Sequence, residues 1–116
     1  MKLKSVLLAL VFSVLTASPA FAGWESLGTW KTTGYCNCRK CNGKWAYGPT
    51  ASGKMPVEGE TVAVGNLPFG TKLMIDGHTY TVEDRGVTGH HVDIYYDDHA
   101  TAHGHGVQYK QVFIWR

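Results

Sequence analysis

Tyr80-Thr-Val-Glu-Asp-Arg-Gly-Val-Thr-Gly-His-His-Val-Asp-Ile-Tyr-Tyr96 is the stretch that decides the fold of this 116-residue chain. Its apolar residues alternate with polar ones, which predicts two short strands, Tyr80–Glu83 and Val92–Tyr96. Gly86 and Gly89 lie in the tight loop between them, where glycine lets another backbone or a ligand approach closely. The stretch therefore predicts a strand–loop–strand unit with an accessible turn.

Two carboxylates have fixed places in this unit. Asp84 comes where the first strand ends, and Asp93 lies within the second strand, on the face opposite Val92 and Ile94. A carboxyl in that position either meets a buried donor or faces a cleft, and partial burial raises its pKa toward the range of a general acid. Asp93, with Asp84 beside it, is therefore the candidate catalytic centre.

The rest of the chain supplies further strands but no long helix. Strand patterns cover four more segments: the second half of residues 23–35, Thr61–Val64, Thr71–Ile75 and Val107–Trp115, while the strand at Tyr80–Glu83 can begin at Thr79. Asp76-Gly77 is a strong hairpin signal, and Asp97 or Asp98 can cap one short helix. About six strands without a covering helix predict an all-β fold that closes into a small barrel.

The N-terminal residues have the pattern of a secretory signal peptide. Lys2 and Lys4 precede an unbroken apolar run, and Ala20-Phe-Ala22 supplies the small residues of a cleavage site. The apolar run is too short for a comfortable membrane span. We therefore expect a signal peptide over residues 1–22 and one exported domain over residues 23–116, with no stable membrane insertion after cleavage.

Charge argues against one class of function. Nine Asp and Glu residues lie after residue 22, whereas Lys2 and Lys4 account for two of the 11 Lys and Arg residues. Residues 23–116 thus carry no formal net charge, and a basic face for nucleic acid is not expected. We expect a monomer that binds no nucleic acid.

The three cysteines are confined to Cys36-Asn-Cys38-Arg-Lys-Cys41. Outside a reducing compartment an odd number implies one pair plus a free thiol, an intermolecular bond or a metal site. Disulfides between Cys38 and Cys41 or between Cys36 and Cys41 are both possible, and the sequence does not choose between them.

The histidines could extend such a metal site. His99 and His103 stand one helical turn apart, and a zinc site built from histidines plus an Asp or Cys is conceivable. No recognised ligand spacing is present, however, and the three sulfurs would need a distant fourth ligand. We therefore interpret the histidines as polar surface side chains and predict no metal and no organic cofactor.

Aromatic residues fall into two groups. Three are assigned to the core: Trp30, Phe113 and Trp115. Four others are candidates for a platform that stacks on the apolar faces of sugar rings: Tyr35, Trp45, Tyr47 and Tyr95. Trp45 and Tyr47 lie in the long irregular segment from Asn42 to Gly59, and loops of that length are usually functional or disordered.

With these motifs in hand, residues 32–115 resemble the three-aspartate (3D) domain family of bacterial exported proteins. That family is related to the stationary-phase survival lytic transglycosylases and to membrane-bound lytic transglycosylase A, and more distantly to rare lipoprotein A and the expansins. The resemblance rests on these pieces: Thr33-Gly-Tyr-Cys36, Cys38, Cys41 and Gly43, Thr50-Ala-Ser-Gly53, Glu58-Gly59, Thr61-Val-Ala63, Leu67-Pro-Phe-Gly-Thr71, Glu83-Asp-Arg-Gly86, Gly89, His91-Val-Asp-Ile-Tyr95, and His99 with Ala102.

The resemblance implies a six-stranded double-psi β-barrel and a peptidoglycan substrate. Asp84 and Asp93 match two of the three family aspartates, and Asp93 matches the catalytic acid of the relatives. The chain departs from the family at the third, where it has Gly65-Asn66. The loop between Asp84 and Asp93 also looks shortened.

The function that this resemblance implies is lytic transglycosylase-like cleavage of the β-1,4 bond between N-acetylmuramic acid and N-acetylglucosamine. Asp93 would be the general acid and Asp84 its neighbour at the catalytic centre. The residues expected to contact the glycan strand are Thr33, Tyr35, His91, Trp45 and Tyr95. Such a protein is expected to be secreted and associated with the cell wall.

Two alternatives remain open on the sequence. The first is a non-catalytic, expansin-like module that binds cell-wall glycan without cutting it. The second is a metal- or thiol-dependent protein that uses Cys36, Cys38 and Cys41 with the histidines.

Overall fold

A computed structural model describes residues 23–116, so the signal peptide expected over residues 1–22 lies outside the described residues. Six strands occur in this part: β1 Trp24–Tyr35, β2 Thr61–Ala63, β3 Lys72–Ile75, β4 His78–Asp84, β5 His91–Tyr95 and β6 Gln108–Trp115. Two short helices are α1, Arg39–Asn42, and α2, His99–His105, with a 3-10 turn at Gly43–Trp45. Within residues 23–116 every helix falls short of the length and apolar character that crossing a membrane requires.

The six strands close into a barrel in the order β1-β5-β2-β4-β3-β6. The β1–β5 and β2–β4 pairs are parallel, and the other pairs are antiparallel. Strand β5, late in the sequence, thus lies between β1 and β2. The predicted all-β, six-stranded double-psi barrel is confirmed.

The core of the barrel consists of one cluster of buried side chains. Its members are Trp30, Val62, Val64, Leu73, Ile75, Val82, Val92, Ile94, Val112 and Ile114. Burying each of the aliphatic ones stabilises the fold by about 1.5–3 kcal/mol. Val92 and Ile94 face this core, as the alternation in β5 predicted, so Asp93 between them faces outward.

Strand β1 is longer than the sequence pattern predicted. All of residues 24–35 are extended, and β1 pairs with β6 from Trp24 to Thr32, with a register shift between Ser26 and Gly28. The irregular first half of β1 hid its strand character, because a β-bulge breaks the two-residue period. Helix α1 was also not predicted, since four residues give no helical periodicity.

The core face predicted for β6 was wrong. Trp115 is 52% exposed and Phe113 is only half-buried, whereas Val112 and Ile114 are buried. Alternation shows which residues share a face but not which face points inward. The large aromatic rings led to the wrong face being assigned to the core. Trp30 does lie in the core, as expected.

Candidate active site

Three neighbouring strands, β5, β2 and β4, bring the two candidate carboxylates to the same outer face of the barrel. Ala63 in β2 pairs with Asp93 in β5 on one side and with Asp84 in β4 on the other. Neighbouring strands lie about 4.8 Å apart, which puts the two aspartate Cα atoms about 10 Å from each other. Ala63, between the two aspartates, is buried and packs with Tyr35 and Tyr95.

A β-bulge brings Asp84 to this face. The register between β2 and β4 shifts between Val62 and Ala63. As a result Glu83 and Asp84, although consecutive, both reach partners on the outer face: Thr61 for Glu83 and Tyr35 for Asp84. Bulges characteristically re-aim a side chain in this way.

Asp93 is part of a hydrogen-bonded chain of three side chains. The Thr33 hydroxyl donates to Asp93 Oδ1 over 2.8 Å and lies 2.6 Å from His91 Nε2. A hydroxyl has one hydrogen. Because the Thr33 hydrogen goes to the carboxylate, the Thr33 oxygen accepts a hydrogen bond from the N–H at His91 Nε2. The order of donation is therefore His91 to Thr33 to Asp93, which fixes the orientation of the carboxyl group.

Burial raises the pKa of the Asp93 carboxyl above its ordinary value, and the charge of Asp84 acts in the same direction. The hydrogen bond from Thr33 and the nearby His91 oppose this rise without cancelling it. Burial lowers the pKa of His91, which favours the neutral ring that donates from Nε2. Asp93 thus holds a proton at higher pH than an exposed aspartate does.

Asp84 is held differently. Its carboxylate accepts hydrogen bonds from the Tyr35 hydroxyl at 2.7 Å, from the Ala51 backbone N–H at 2.9 Å and from the Arg85 backbone N–H at 2.9 Å. Burial, followed by the bond to Asp84, raises the pKa of Tyr35, so its phenol stays a donor. Asp84 therefore ties β1, the 42–59 segment and β4 together.

The expected aromatic platform is divided in two. Tyr35 and Tyr95 are buried, with ring centroids 5.6 Å apart in an edge-on contact, and pack with Ala63 as a small second cluster. Trp45 and Tyr47 are 70% and 69% exposed on the segment that follows α1. The buried pair supports the site from beneath, whereas the exposed pair is free to contact a large ligand.

Two concave pockets lie elsewhere on the barrel. One, of about 280 Å³, is bordered by His105, Tyr96 and Lys110, and the other, of about 350 Å³, is bordered by Lys54 and Glu83. Asp93 lines neither of these two pockets, and its side chain is half-buried.

Sequence reasoning missed Glu83 as a buried acid. Its side chain accepts from the Thr61 hydroxyl at 2.7 Å and from Lys54 Nζ at 2.9 Å. Burial alone would raise its pKa, but these bonds outweigh it and lower the pKa. Glu83 directly follows core residue Val82. The bulge, which left no signal in the sequence, puts both Glu83 and Asp84 on the outer face, so alternation alone could not assign their surroundings.

Gly65, the position at which the sequence resemblance leads us to expect a third aspartate, has no room for a side chain. A Cβ atom on Gly65 would lie 2.3 Å from the backbone carbonyl oxygen of Val87, in the shortened loop between Asp84 and Asp93. No side chain fits there unless that loop moves.

The histidine prediction fails at His99. Its Nδ1 lies 3.3–3.5 Å from the sulfurs of Cys36, Cys38 and Cys41, so His99 is not an isolated surface side chain. All three thiols are unpaired, and neither of the two disulfides considered from the sequence is formed. The distant fourth ligand that the sequence lacked is thus present in the fold.

No family profile matches the chain, and no curated protein sequence matches it. Among solved structures it is similar to the crystal structure of MltA from E. coli and to an apo form of E. coli lytic transglycosylase MltA with an Asp-to-Ala substitution. Each has a TM-score of 0.51 and 22% sequence identity over 58% of this chain. The chain spans only 27% and 26% of those two proteins, and at this identity the likeness concerns the fold. The chain therefore shares its barrel fold with part of E. coli MltA.

Proposed function

We propose that this protein acts on peptidoglycan and cleaves the β-1,4 bond between N-acetylmuramic acid and N-acetylglucosamine by lytic transglycosylase chemistry. The observation that carries the proposal is Asp93, a half-buried carboxyl whose pKa is raised by burial and whose orientation is fixed by Thr33. The barrel shared with a lytic transglycosylase supports it.

In this mechanism Asp93 protonates the glycosidic oxygen while the bond to C1 of the muramyl sugar breaks with oxocarbenium character. The C6 hydroxyl of the same sugar then attacks C1, and the Asp93 carboxylate takes the hydroxyl proton. The products are a 1,6-anhydromuramyl end and a free N-acetylglucosamine end. No water is consumed, and Asp93 regains its proton.

Asp84 has a positioning role in this scheme. A second carboxyl acting as nucleophile lies about 5–5.5 Å from the acid, whereas Asp84 and Asp93 stand two strands apart across Ala63. The three hydrogen bonds to Asp84 also occupy its oxygens. Its charge helps to keep Asp93 protonated.

The remaining site residues support acid and substrate. Thr33 and His91 orient Asp93 and offer hydrogen bonds to the sugar, while Tyr35 and Tyr95 shape the wall beside it. Trp45, exposed on its turn, offers a flat surface for a sugar ring farther along the strand. We further propose that the protein is exported and works at the cell wall.

The test is a digest of purified peptidoglycan, analysed by mass spectrometry. We expect muropeptides with 1,6-anhydro ends, which are lighter by one water than hydrolysis products. Products with reducing muramyl ends would instead indicate hydrolysis and overturn the transglycosylase assignment.

A second candidate function is glycan binding without turnover, as in the expansin-like alternative. Gly65 in place of the third carboxylate, beneath the closely packed Val87 carbonyl, favours it. Sedimentation of the protein with insoluble peptidoglycan, together with an unchanged muropeptide profile, would identify this function.

A further inference from the structure

Four potential metal ligands from two distant parts of the chain meet beside the barrel. The sulfurs of Cys36, Cys38 and Cys41 and the Nδ1 atom of His99 all lie within 4.8 Å of one another. His99 is 63 residues from Cys36 in the sequence. We propose that these four residues form a closed structural site for one Zn²⁺ ion.

The arrangement of the four atoms suits tetrahedral coordination. His99 Nδ1 is nearly equidistant from the three sulfurs, at 3.5, 3.3 and 3.5 Å, and Cys36 Sγ lies 3.0 and 3.4 Å from the other two. Zinc bonds of about 2.3 Å to sulfur and about 2.0–2.1 Å to nitrogen separate neighbouring ligands by about 3.6–3.8 Å. Each of these five separations needs to widen by less than about 1 Å to match such a site.

The set of ligands identifies the metal and its role. Thiolate and imidazole ligands in a tetrahedron favour zinc among the divalent ions. Four protein ligands leave no open position for substrate or water, which is the hallmark of a structural site. A disulfide is a poorer account, because bonded sulfurs lie about 2.05 Å apart and any pair would leave one thiol and His99 without a partner.

Local structure prepares the cysteine side of the site. Cys36 directly follows β1, and the backbone N–H of Asn42 donates to the Cys38 carbonyl at 2.8 Å, which closes the turn of α1. Asn37 bonds Asn42 and the Gly48 carbonyl through its side chain. The loop is thus already folded around the three sulfurs.

The histidine side comes from the start of α2. Asp98 caps this helix by accepting from the Thr101 backbone N–H at 3.0 Å, so His99, its first residue, has a fixed direction. The metal would therefore join α1 to α2, two short helices from distant parts of the chain.

The site also contacts the wall of the candidate active site. Cys41 packs against the cluster of Tyr35, Ala63 and Tyr95, and Tyr35 donates to Asp84. Zinc binding would therefore hold this wall in place, whether or not Asp93 is catalytic. Such a cross-link stabilises a domain of this size appreciably, because its single hydrophobic core is small.

The experiment is metal analysis of the purified protein, combined with thiol titration. We expect one zinc ion per chain and three thiols that become reactive only after a chelator has removed the metal. Removing zinc should lower Tm by more than about 10 °C. Substituted cobalt(II) should give the intense visible absorption of a tetrahedral site and charge-transfer bands from thiolate.

His99→Gln and Cys38→Ser should each lose zinc, whereas His103→Gln, whose exposed ring stacks on that of His99 without belonging to the cluster, should retain it. The chelator experiment on the unaltered protein keeps the test valid if a variant fails to fold. A metal-free protein with a disulfide, seen as a mass lower by two hydrogens, would overturn the proposal. Stoichiometric iron or copper in place of zinc would equally overturn it.

Discussion

At the scale of single residues, two aspartates on one face differ because their partners differ. Asp84 accepts three hydrogen bonds, two of them from backbone N–H groups, whereas Asp93 has a single hydroxyl donor in a half-buried setting. Under the proposed function, environment rather than residue type assigns the acid role to Asp93. The sequence put both aspartates in the candidate site, but it could not show the hydrogen bonds that distinguish their surroundings.

The raised pKa of Asp93 makes a prediction about pH. A general acid must be protonated, so kcat/KM should fall as pH rises through the pKa of Asp93, which lies above the ordinary value of 3.8. The rate of anhydromuropeptide release should be measured across the acid and neutral range. A rate that increases with pH through this range would contradict the assignment.

Thr33→Val tests the hydrogen-bonded chain, since valine keeps the shape and removes the hydroxyl. Loss of a bond to a charged group, worth about 1.5–3 kcal/mol, should lower kcat by roughly 10- to 150-fold. Because that bond lowers the pKa of Asp93, its loss should also move the pH limit of activity upward. Thr29→Val, at an exposed position of the same strand, is the control. An unchanged pH profile for Thr33→Val would refute this role.

At the scale of elements, alternation predicted β5 well because its core and surface residues differ clearly in polarity. It failed in β6, where both faces carry apolar residues, and at the β4 bulge, which puts Glu83 and Asp84 on one face. Both failures concern which side chains of a strand point to the core, and this depends on the neighbouring strands in the barrel.

Gly34→Ala tests the packing of α2 on β1. A Cβ atom at this position would lie 2.6 Å from the Ala102 carbonyl oxygen and 3.0 Å from His105 Cβ. We expect a loss of about 1–3 kcal/mol in the free energy of unfolding, from overpacking. Gly104→Ala, within α2 and with open space around it, should instead be neutral or stabilise by up to about 1 kcal/mol. Denaturant unfolding of both variants measures this, and equal effects would rule out the contact.

At the scale of the whole molecule, what the sequence could not predict are contacts between distant segments. The barrel itself followed from six strand patterns and the family resemblance. The meeting of His99 with the cysteines and of Lys54 with Glu83 depends on closure of the barrel and left no local signal.

Glu83 should make stability depend on pH. Since its pKa is lowered in the folded state, its stabilising effect is present above the unfolded value near 4.5 and is lost as pH falls. Glu83→Gln should lower the free energy of unfolding at pH 7 by about 1–3 kcal/mol. It should also reduce the further loss of stability as the pH falls. Thermal unfolding at several pH values checks this, with Glu25→Gln at an exposed ion pair as control. If the stability of Glu83→Gln fell with pH as steeply as that of the unaltered protein, Glu83 would be excluded as the cause of the pH dependence.

The most direct test of the central claim is the yield of 1,6-anhydromuropeptides from peptidoglycan treated with Asp93→Asn, beside the unaltered protein and an Asp76→Asn control at an exposed hairpin. Asparagine preserves the shape of the side chain but cannot donate the proton. We predict that Asp93→Asn unfolds at about the same temperature and releases no anhydro product, while the control is fully active. Undiminished release by Asp93→Asn would contradict the account.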